Sequence, residues 1–226
     1  MDLLRQIWVV TVKDLRAELR TKEAINASFA FAMVILLMFS FAFDPSDDTT
    51  REISGGLLWI VFAFAGTLIL NRSFARELPN DCLDALIAAP ISSSALFLGK
   101  AFANFVLVLA VEFMALPVFG IFYNVHWTLQ LPELILVMLL GTWALTVIGT
   151  IFSALTVNIR LREVMLPMLT YPILVPALMG AMLLTSKLVN GIPIAADTME
   201  WLKILVGFDI VYTAVSLILV ETVLVG

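Results

Sequence analysis

Six stretches of this chain are apolar for roughly 20 residues each, and most of its charged residues lie in the short segments between them. An α-helix rises 1.5 Å per residue, so about 20 residues cross a hydrocarbon core that is about 30 Å thick. Inside lipid the backbone must satisfy its own hydrogen bonds, and apolar runs of this length do so as helices. We therefore predict an all-α membrane protein with six transmembrane helices. The predicted spans are Ala24–Phe43, Gly56–Leu70, Ala101–Phe122, Leu134–Val157, Val164–Thr185 and Ile204–Val225.

The composition supports this fold class. Of the 226 residues, 62% are hydrophobic and 14% are charged, whereas soluble domains are about 45–50% apolar and about 25% charged. The single cysteine, Cys82, excludes an intramolecular disulfide and any multi-cysteine metal site. No separate soluble domain is visible, so residues 1–226 are predicted to form one transmembrane domain. Membrane lipid is an expected partner, and nucleic acid is not.

Two of the predicted spans have unusual features. The span Gly56–Leu70 is the shortest, and we expect it to extend back towards Ile53 or onward past Asn71. The fifth span contains Pro167, Pro172 and Pro176. A proline inside a helix removes a backbone donor and clashes with the preceding turn. We therefore expect the fifth helix to be kinked or broken.

Residues 1–23 form a charged segment with helical periodicity. Leu4, Ile7, Trp8, Leu15 and Leu19 fall on one face, and most of the basic residues lie elsewhere. A helix with tryptophan on its apolar side and basic residues on the other suits the membrane interface. We predict an interfacial amphipathic helix; an ordinary solvated helix is the alternative.

The basic residues predict an orientation. With the N-terminus in the cytoplasm and six alternating spans, the cytoplasmic segments hold ten of the 13 Lys and Arg residues. Short loops follow the positive-inside rule, so both termini are predicted to be cytoplasmic. The ten are Arg5, Lys13, Arg16, Arg20, Lys22, Arg72, Arg76, Lys100, Arg160 and Arg162; the outer three are Arg51, Lys187 and Lys203.

The longest connection between spans runs from residue 71 to residue 100. Its sequence is NRSFARELPNDCLDALIAAPISSSALFLGK, in which both signs of charge alternate with apolar residues. A short amphipathic helix of this kind has one face for the membrane or a partner and one for water. The segment is interpreted either as a docking element for a soluble subunit or as a simple interfacial connector.

Residues 55–100, GGLLWIVFAFAGTLILNRSFARELPNDCLDALIAAPISSSALFLGK, resemble the CcmB family. Its members are permease subunits of the cytochrome c maturation ABC transporter. The N-terminal helix, the six spans and the length agree with the family, so the resemblance covers essentially the whole chain. The same general frame, an interfacial helix plus six spans, also belongs to the wider ABC-2 type exporters. The resemblance implies a single ABC-2 type permease domain in the bacterial inner membrane.

The resemblance also implies partners. Residues 71–90 would dock onto a separate CcmA-like ATPase, with 71–100 as the cytoplasmic coupling segment. A CcmC-like membrane subunit and a haem chaperone complex are the other implied partners. Many family members have Asp-Gly in this region, but here Asp81 is followed by Cys82, which changes the local turn. The residues matching the family's docking motif are Arg72, Phe74, Arg76, Glu77, Asp81 and Leu83.

The sequence lacks the motifs of a self-contained enzyme. It has no GxxxxGK[ST] phosphate loop, no nucleophile–base pair and no clustered metal motif. We predict a non-catalytic transmembrane subunit that binds no cofactor directly, with ATP hydrolysed by the partner. Haem would be the cargo of the complex, or the subunit would drive the release of a haem-loaded chaperone from a CcmC-like protein. The sequence leaves both mechanisms open.

Three polar residues in or near the spans need an explanation. Carboxylates inside a membrane commonly face a bundle interior and mark a functional path or a buried hydrogen bond. Glu112 lies in the middle of the third span, and Asp209 lies in the outer part of the sixth. For Glu112 we keep both interpretations, function and structural pairing. His126 is interpreted as an interfacial histidine of an outer loop, with haem ligation as the alternative.

Other functions are compatible with the same arrangement of helices. An ABC-2 type exporter of a lipid, a polysaccharide or a drug keeps the fold and changes the cargo. A structural membrane scaffold would have no ATPase partner. A secondary transporter is disfavoured, because no repeated half is visible and few intramembrane charges are paired.

Overall fold

The computed structural model describes residues 2–44, 47–78, 82, 86, 89–125, 127–196 and 198–225. These residues form seven long helices joined by turns, with no strand among them. Six of the helices are long and apolar enough to cross a membrane, which confirms the predicted fold class. The helices are α1 (Leu3–Thr21), α2 (Glu23–Ala42), α3 (Asp48–Leu70), α4 (Ser93–Phe122), α5 (Leu131–Thr156), α6 (Arg162–Val189) and α7 (Met199–Val225).

The helices are longer than their apolar cores because polar residues cap and extend them. The side chain of Asp47 accepts a hydrogen bond from the Thr49 N–H, so α3 begins eight residues before Gly56. The extension expected for this span is thereby confirmed at its N-terminal end. The hydroxyl of Ser92 accepts from the Ala95 N–H at 3.2 Å and caps the start of α4.

Helix α6 is continuous from Arg162 to Val189 although it contains Pro167, Pro172 and Pro176. Of the two alternatives predicted for the fifth span, the break is therefore wrong, and the kink stays a prediction. Each proline costs one backbone hydrogen bond, but α6 is packed against α3, α5 and α7. These contacts hold the helical path where the isolated sequence would favour a break.

Helices α3 and α5 form the centre of the bundle. Helix α3 contacts α2, α4, α5 and α6, and α5 contacts α4, α6 and α7 as well. Small residues allow the closest approaches: Trp59 of α3 lies directly over Gly141 of α5, and Leu70 lies over Gly149. Small residues at helix crossings are the usual means by which membrane helices pack closely.

Helix α1 lies alongside the N-terminal part of α4, outside the six spans. Val10 packs against Gly99, and the Thr11 hydroxyl donates to the Gly99 carbonyl at 3.0 Å. On its other side, α1 exposes Leu4 and Trp8. The amphipathic helix is therefore confirmed, and its interfacial placement stays a prediction.

The chain turns sharply between α1 and α2. Lys22 has a φ of 56°, and its N–H donates to the Glu18 carbonyl at 2.6 Å. This left-handed residue ends α1 and lets α2 begin at once in a new direction. We call the end of the bundle that carries α1, residues 71–78 and the first turn of α6 the basic end, because most of the Lys and Arg residues lie in these segments.

Candidate functional site

The site begins where α3 ends and the chain enters residues 71–78. Here a turn is followed by a short 3₁₀ helix, Ala75–Glu77. Side chains from other helices satisfy the backbone of this turn: the Ser153 hydroxyl donates to the Leu70 carbonyl, and the Lys100 ammonium donates to the Ser73 carbonyl, both at 2.8 Å. The last carbonyls of a helix need such donors, so this turn is fixed to α4 and α5.

Lys100 is the centre of the site. Its side chain is 0% exposed, and its Nζ lies 2.9 Å from Glu77 Oε2 and 3.2 Å from Asp14 Oδ2. The ammonium also stands 4.7 Å from the centre of the Phe74 ring. A buried ammonium is costly unless it is paired and hydrogen-bonded. Lys100 meets this condition only because α1 and residues 73–77 converge on α4.

Further ion pairs join α1 to the same segment. Lys13 contacts Glu77 and lies 3.1 Å from Asp14, and Arg76 contacts Glu18. We call Lys13, Asp14, Glu18, Arg76, Glu77 and Lys100 the charge network.

The charge on Lys13 is maintained by its neighbours. Burial lowers the pKa of its ammonium, but Asp14 and Glu77 outweigh burial and leave the pKa above its usual value. The ammonium therefore stays protonated at neutral pH.

Glu18 connects three elements. It is fully buried; its Oε2 contacts Arg76, while Oε1 accepts hydrogen bonds from the N–H groups of Ala24 and Ile25 at 2.8 and 2.9 Å. A carboxylate is stabilised at a helix N-terminus by the free N–H groups and the helix dipole. One side chain of α1 thus caps α2 and holds Arg76 of the connection that follows α3.

Asn104 extends the polar contacts into the bundle. Its amide nitrogen donates to the Ser73 hydroxyl and to the Thr150 hydroxyl, each at 2.9 Å. The amide is buried between the end of α3 and α5. Residue 73 is thereby bonded to two residues of α4, one turn apart.

The predicted docking residues do not share one environment. Phe74 is fully buried and packs with Ala154 and Val157 at the end of α5. Arg76 and Glu77 belong to the charge network. Arg72 is partly exposed and pairs with the exposed Glu23 at 2.8 Å. Asp81 and Leu83 lie outside the described residues.

Four members of the charge network were not candidates from the sequence: Lys13, Asp14, Glu18 and Lys100. Three of them lie in α1, about 60 to 90 residues from their partners along the chain. Their only signal is that α1 carries two carboxylates among its basic residues. The sequence does not indicate which charges turn inward, because that depends on how α1 packs against α4.

The carboxylates inside the spans have few partners. Both oxygens of Glu112 lie 2.7–2.8 Å from the Thr142 hydroxyl, which has one proton to donate. Asp209 is 7% exposed, and neither oxygen has a hydrogen-bond partner among the described residues. His126 lies outside the described part of the chain. No group of three metal-ligand side chains occurs within that part.

The six spans, the packed amphipathic helix and the fixed connection after α3 define a multi-pass helical membrane protein. The chain belongs to the CcmB protein family, whose sequence model matches residues 5–222. It is similar to heme exporter protein B of Rhodobacter capsulatus, with 31% identity over 80% of this chain and 83% of that protein. The protein of the same name from Paracoccus denitrificans is 29% identical over 74% of this chain and 76% of its own length. That of Pseudomonas aeruginosa is 29% identical over 86% of each chain.

Proposed function

We propose that this chain is the membrane permease subunit of an ABC transporter that acts in cytochrome c maturation. Its membership of the CcmB family and its similarity to proteins named heme exporter protein B support this function. The sequence has no phosphate-binding loop of its own. ATP would therefore be hydrolysed by a separate CcmA-like subunit, and the chain itself would be non-catalytic.

One observation carries the mechanical part of the proposal. The charge network ties residues 73–77 to α1, to the start of α2 and to α4 through buried ion pairs and hydrogen bonds. A displacement of the connection 71–100 would therefore be transmitted to three helices, α1, α2 and α4. Because a buried pair leaves an uncompensated charge when it breaks, the connected groups move together rather than separate.

The docking residues divide into two roles in this mechanism. Arg72 is accessible at the surface, and Cys82 marks an exposed position further along the connection. We assign contact with the ATPase to Arg72, Asp81 and Leu83. Phe74, Arg76 and Glu77 would transmit the movement, because their side chains are engaged with the bundle.

The location and the cargo follow from the same function. The basic end would face the cytoplasm of a bacterium, with both termini there and the chain in the inner membrane. Haem would be exported by the complex, or ATP-driven movement would release a haem-loaded chaperone from a CcmC-like subunit. In either case the haem is cargo, and this chain holds no resident cofactor.

Labelling of Cys82 tests the orientation. It is the only cysteine of the chain, and it is exposed. A membrane-impermeant maleimide should leave Cys82 unmodified in intact cells and modify it in inverted vesicles. Labelling in intact cells would place the connection on the outer side and would overturn the proposal.

Co-purification tests the docking contacts. The chain is co-expressed with a CcmA-like ATPase, and the ATPase recovered with the chain is measured. Arg72→Glu and Asp81→Lys should each reduce recovery severalfold, because charge reversal opposes the docking surface. Lys203→Glu is the control, since Lys203 is exposed at the opposite end and pairs only with Glu200 among the described residues. Full recovery with both variants would remove the docking assignment.

A further inference from the structure

A cavity of about 680 Å³ opens at the basic end between α2 and α6, with α3 at its back. Helices α2 and α6 both pack against α3. Phe31, Phe64 and Pro167 line the part towards the middle of the bundle, and Phe64 is 47% exposed although it lies on the central helix. This part of the cavity is apolar, and the exposed Phe64 ring makes it accessible from outside the bundle.

The other part of the cavity is cationic. Arg72, Arg76 and Arg162 reach it, together with two glutamates. Arg72 pairs with Glu23, and Arg76 pairs with Glu18. The half-buried Arg162 guanidinium forms no ion pair with any residue that the structure describes. A guanidinium in this position is open to an anion.

A second polar group in the cavity lacks a partner. Asn71 lies at the end of α3, and its amide oxygen is buried without a hydrogen-bond partner among the described residues. A buried acceptor of this kind is normally satisfied. The neighbouring Thr67 hydroxyl, in contrast, is bonded to the Tyr171 hydroxyl at 2.7 Å. Among the described residues, the cavity therefore has a cation without an ion pair, Arg162, and an acceptor without a donor, Asn71, above an apolar floor. The exposed carboxylate of Glu163 also lines it.

We propose that this cavity binds one anionic phospholipid whose headgroup carries both a phosphate and hydroxyls. The phosphate would pair with Arg162, a headgroup hydroxyl would donate to Asn71, and an acyl chain would lie on Phe31 and Phe64. Anionic lipid is attracted to basic segments at the membrane surface by about 1 kcal/mol per cationic side chain. The site would join the connection after α3 to the first turn of α6 through the lipid.

The lining favours a phospholipid over a porphyrin. Among the described residues that line the cavity there is no histidine, cysteine, methionine or tyrosine. These side chains are the usual axial ligands of haem iron. The Arg162 guanidinium and the exposed apolar lining match a phosphate headgroup and an acyl chain, and they need no metal ligand.

Lipid retention by the purified full chain tests the proposal. The chain in neutral detergent is titrated with phosphatidylglycerol or with phosphatidylcholine, and bound lipid is counted by native mass spectrometry. One molecule of phosphatidylglycerol should bind per chain. An excess of phosphatidylcholine should not displace it. Arg162→Gln should weaken binding roughly fivefold, which corresponds to the loss of one cationic contact. Arg160→Gln, at an exposed residue outside the cavity, is the matched control and should bind within twofold of the parent chain.

A second variant separates the apolar part from the charges. Ala27→Trp places a large ring in the cavity at an exposed position of α2 and leaves every arginine in place. It should weaken phosphatidylglycerol severalfold, and it keeps the test valid if Arg162→Gln folds poorly. Because binding is measured on the isolated chain, the result is independent of the ATPase proposal.

Four outcomes would overturn the assignment. They are equal binding of phosphatidylcholine, unchanged binding in both variants, displacement of phosphatidylglycerol by millimolar inorganic phosphate, and displacement by hemin that itself requires Arg162. The third would indicate a free phosphate site, and the fourth a porphyrin site.

Discussion

Two groups of buried ionisable side chains lie at different depths of this bundle, and they differ in how they are paired. At the basic end, Lys100 meets two carboxylates and a carbonyl, and Glu18 meets a guanidinium and two N–H groups. Within the spans, Glu112 has one hydroxyl donor, and Asp209 has no hydrogen-bond partner among the described residues.

The difference separates two uses of a buried charge. Paired charges from three segments, α1, residues 71–78 and α4, fix the position of the connection after α3, and removing one leaves the others uncompensated. Among the described residues, the carboxylates within the spans form no ion pair that would link one helix to another. Their removal should therefore change the stability of the isolated chain little, and any large effect must appear in function or assembly.

The largest effect is expected for Lys100→Met. Methionine keeps much of the volume and removes the charge, so Asp14 and Glu77 lose the buried one of the two lysines that they share and keep only the partly exposed Lys13. Breaking a buried pair costs about 3–5 kcal/mol. Thermal unfolding in detergent, followed by loss of monodisperse protein, should show a large decrease in midpoint. Lys203→Met, at an exposed lysine, is the control and should unfold with the parent chain. A Lys100→Met chain as stable as the parent would show that the network does not hold the connection.

A smaller effect is expected at Glu18, where two variants separate its two contacts. Glu18→Gln removes the charge that faces Arg76 but keeps an oxygen for the N–H groups of Ala24 and Ile25. Glu18→Ala removes both contacts. The alanine variant should be less stable than the glutamine variant by about 1 kcal/mol, the usual value of a helix cap. Equal unfolding midpoints would mean that Glu18 does not act as a cap for α2.

Glu112→Gln should have a slight effect on stability. The amide oxygen of glutamine still accepts from the Thr142 hydroxyl, so the loss should be about 1 kcal/mol or less. Haem delivery to c-type cytochromes in a strain that depends on this chain provides the functional measurement. Unchanged delivery favours structural pairing, and a large loss with normal stability favours function. A large loss of stability would contradict the statement that the carboxylates within the spans contribute little to stability, because Glu112 would then hold the bundle together.

The sequence predicted the spans well and the site only in part. Apolar length decides which segments cross a bilayer, so six spans were found, and the capping side chains of Asp47 and Ser92 moved only the boundaries. The prolines of α6 do not break the helix, because packing against neighbouring helices preserves it, while the predicted kink stays untested. Phe74, Arg76 and Glu77 were found through a family motif, but their inward contacts were not. Which charges of α1 meet them depends on the packing of Val10 and Thr11 against Gly99, and no local pattern encodes that contact.

The smallest effect on the isolated chain is expected for Asp209→Leu. This variant gives the most direct test of the difference between the charge network and the carboxylates within the spans. An unpaired carboxylate buried at membrane depth is costly, so leucine at this position of α7 should leave the unfolding midpoint unchanged or raise it slightly. The neighbouring Ile210 is exposed and provides a control, Ile210→Leu, which should change neither stability nor assembly. A marked fall in stability would show that Asp209 is held by contacts of its own chain. If the Asp209→Leu chain is stable yet fails to co-purify with another membrane subunit, the carboxylate acts in assembly and not in the stability of the isolated chain.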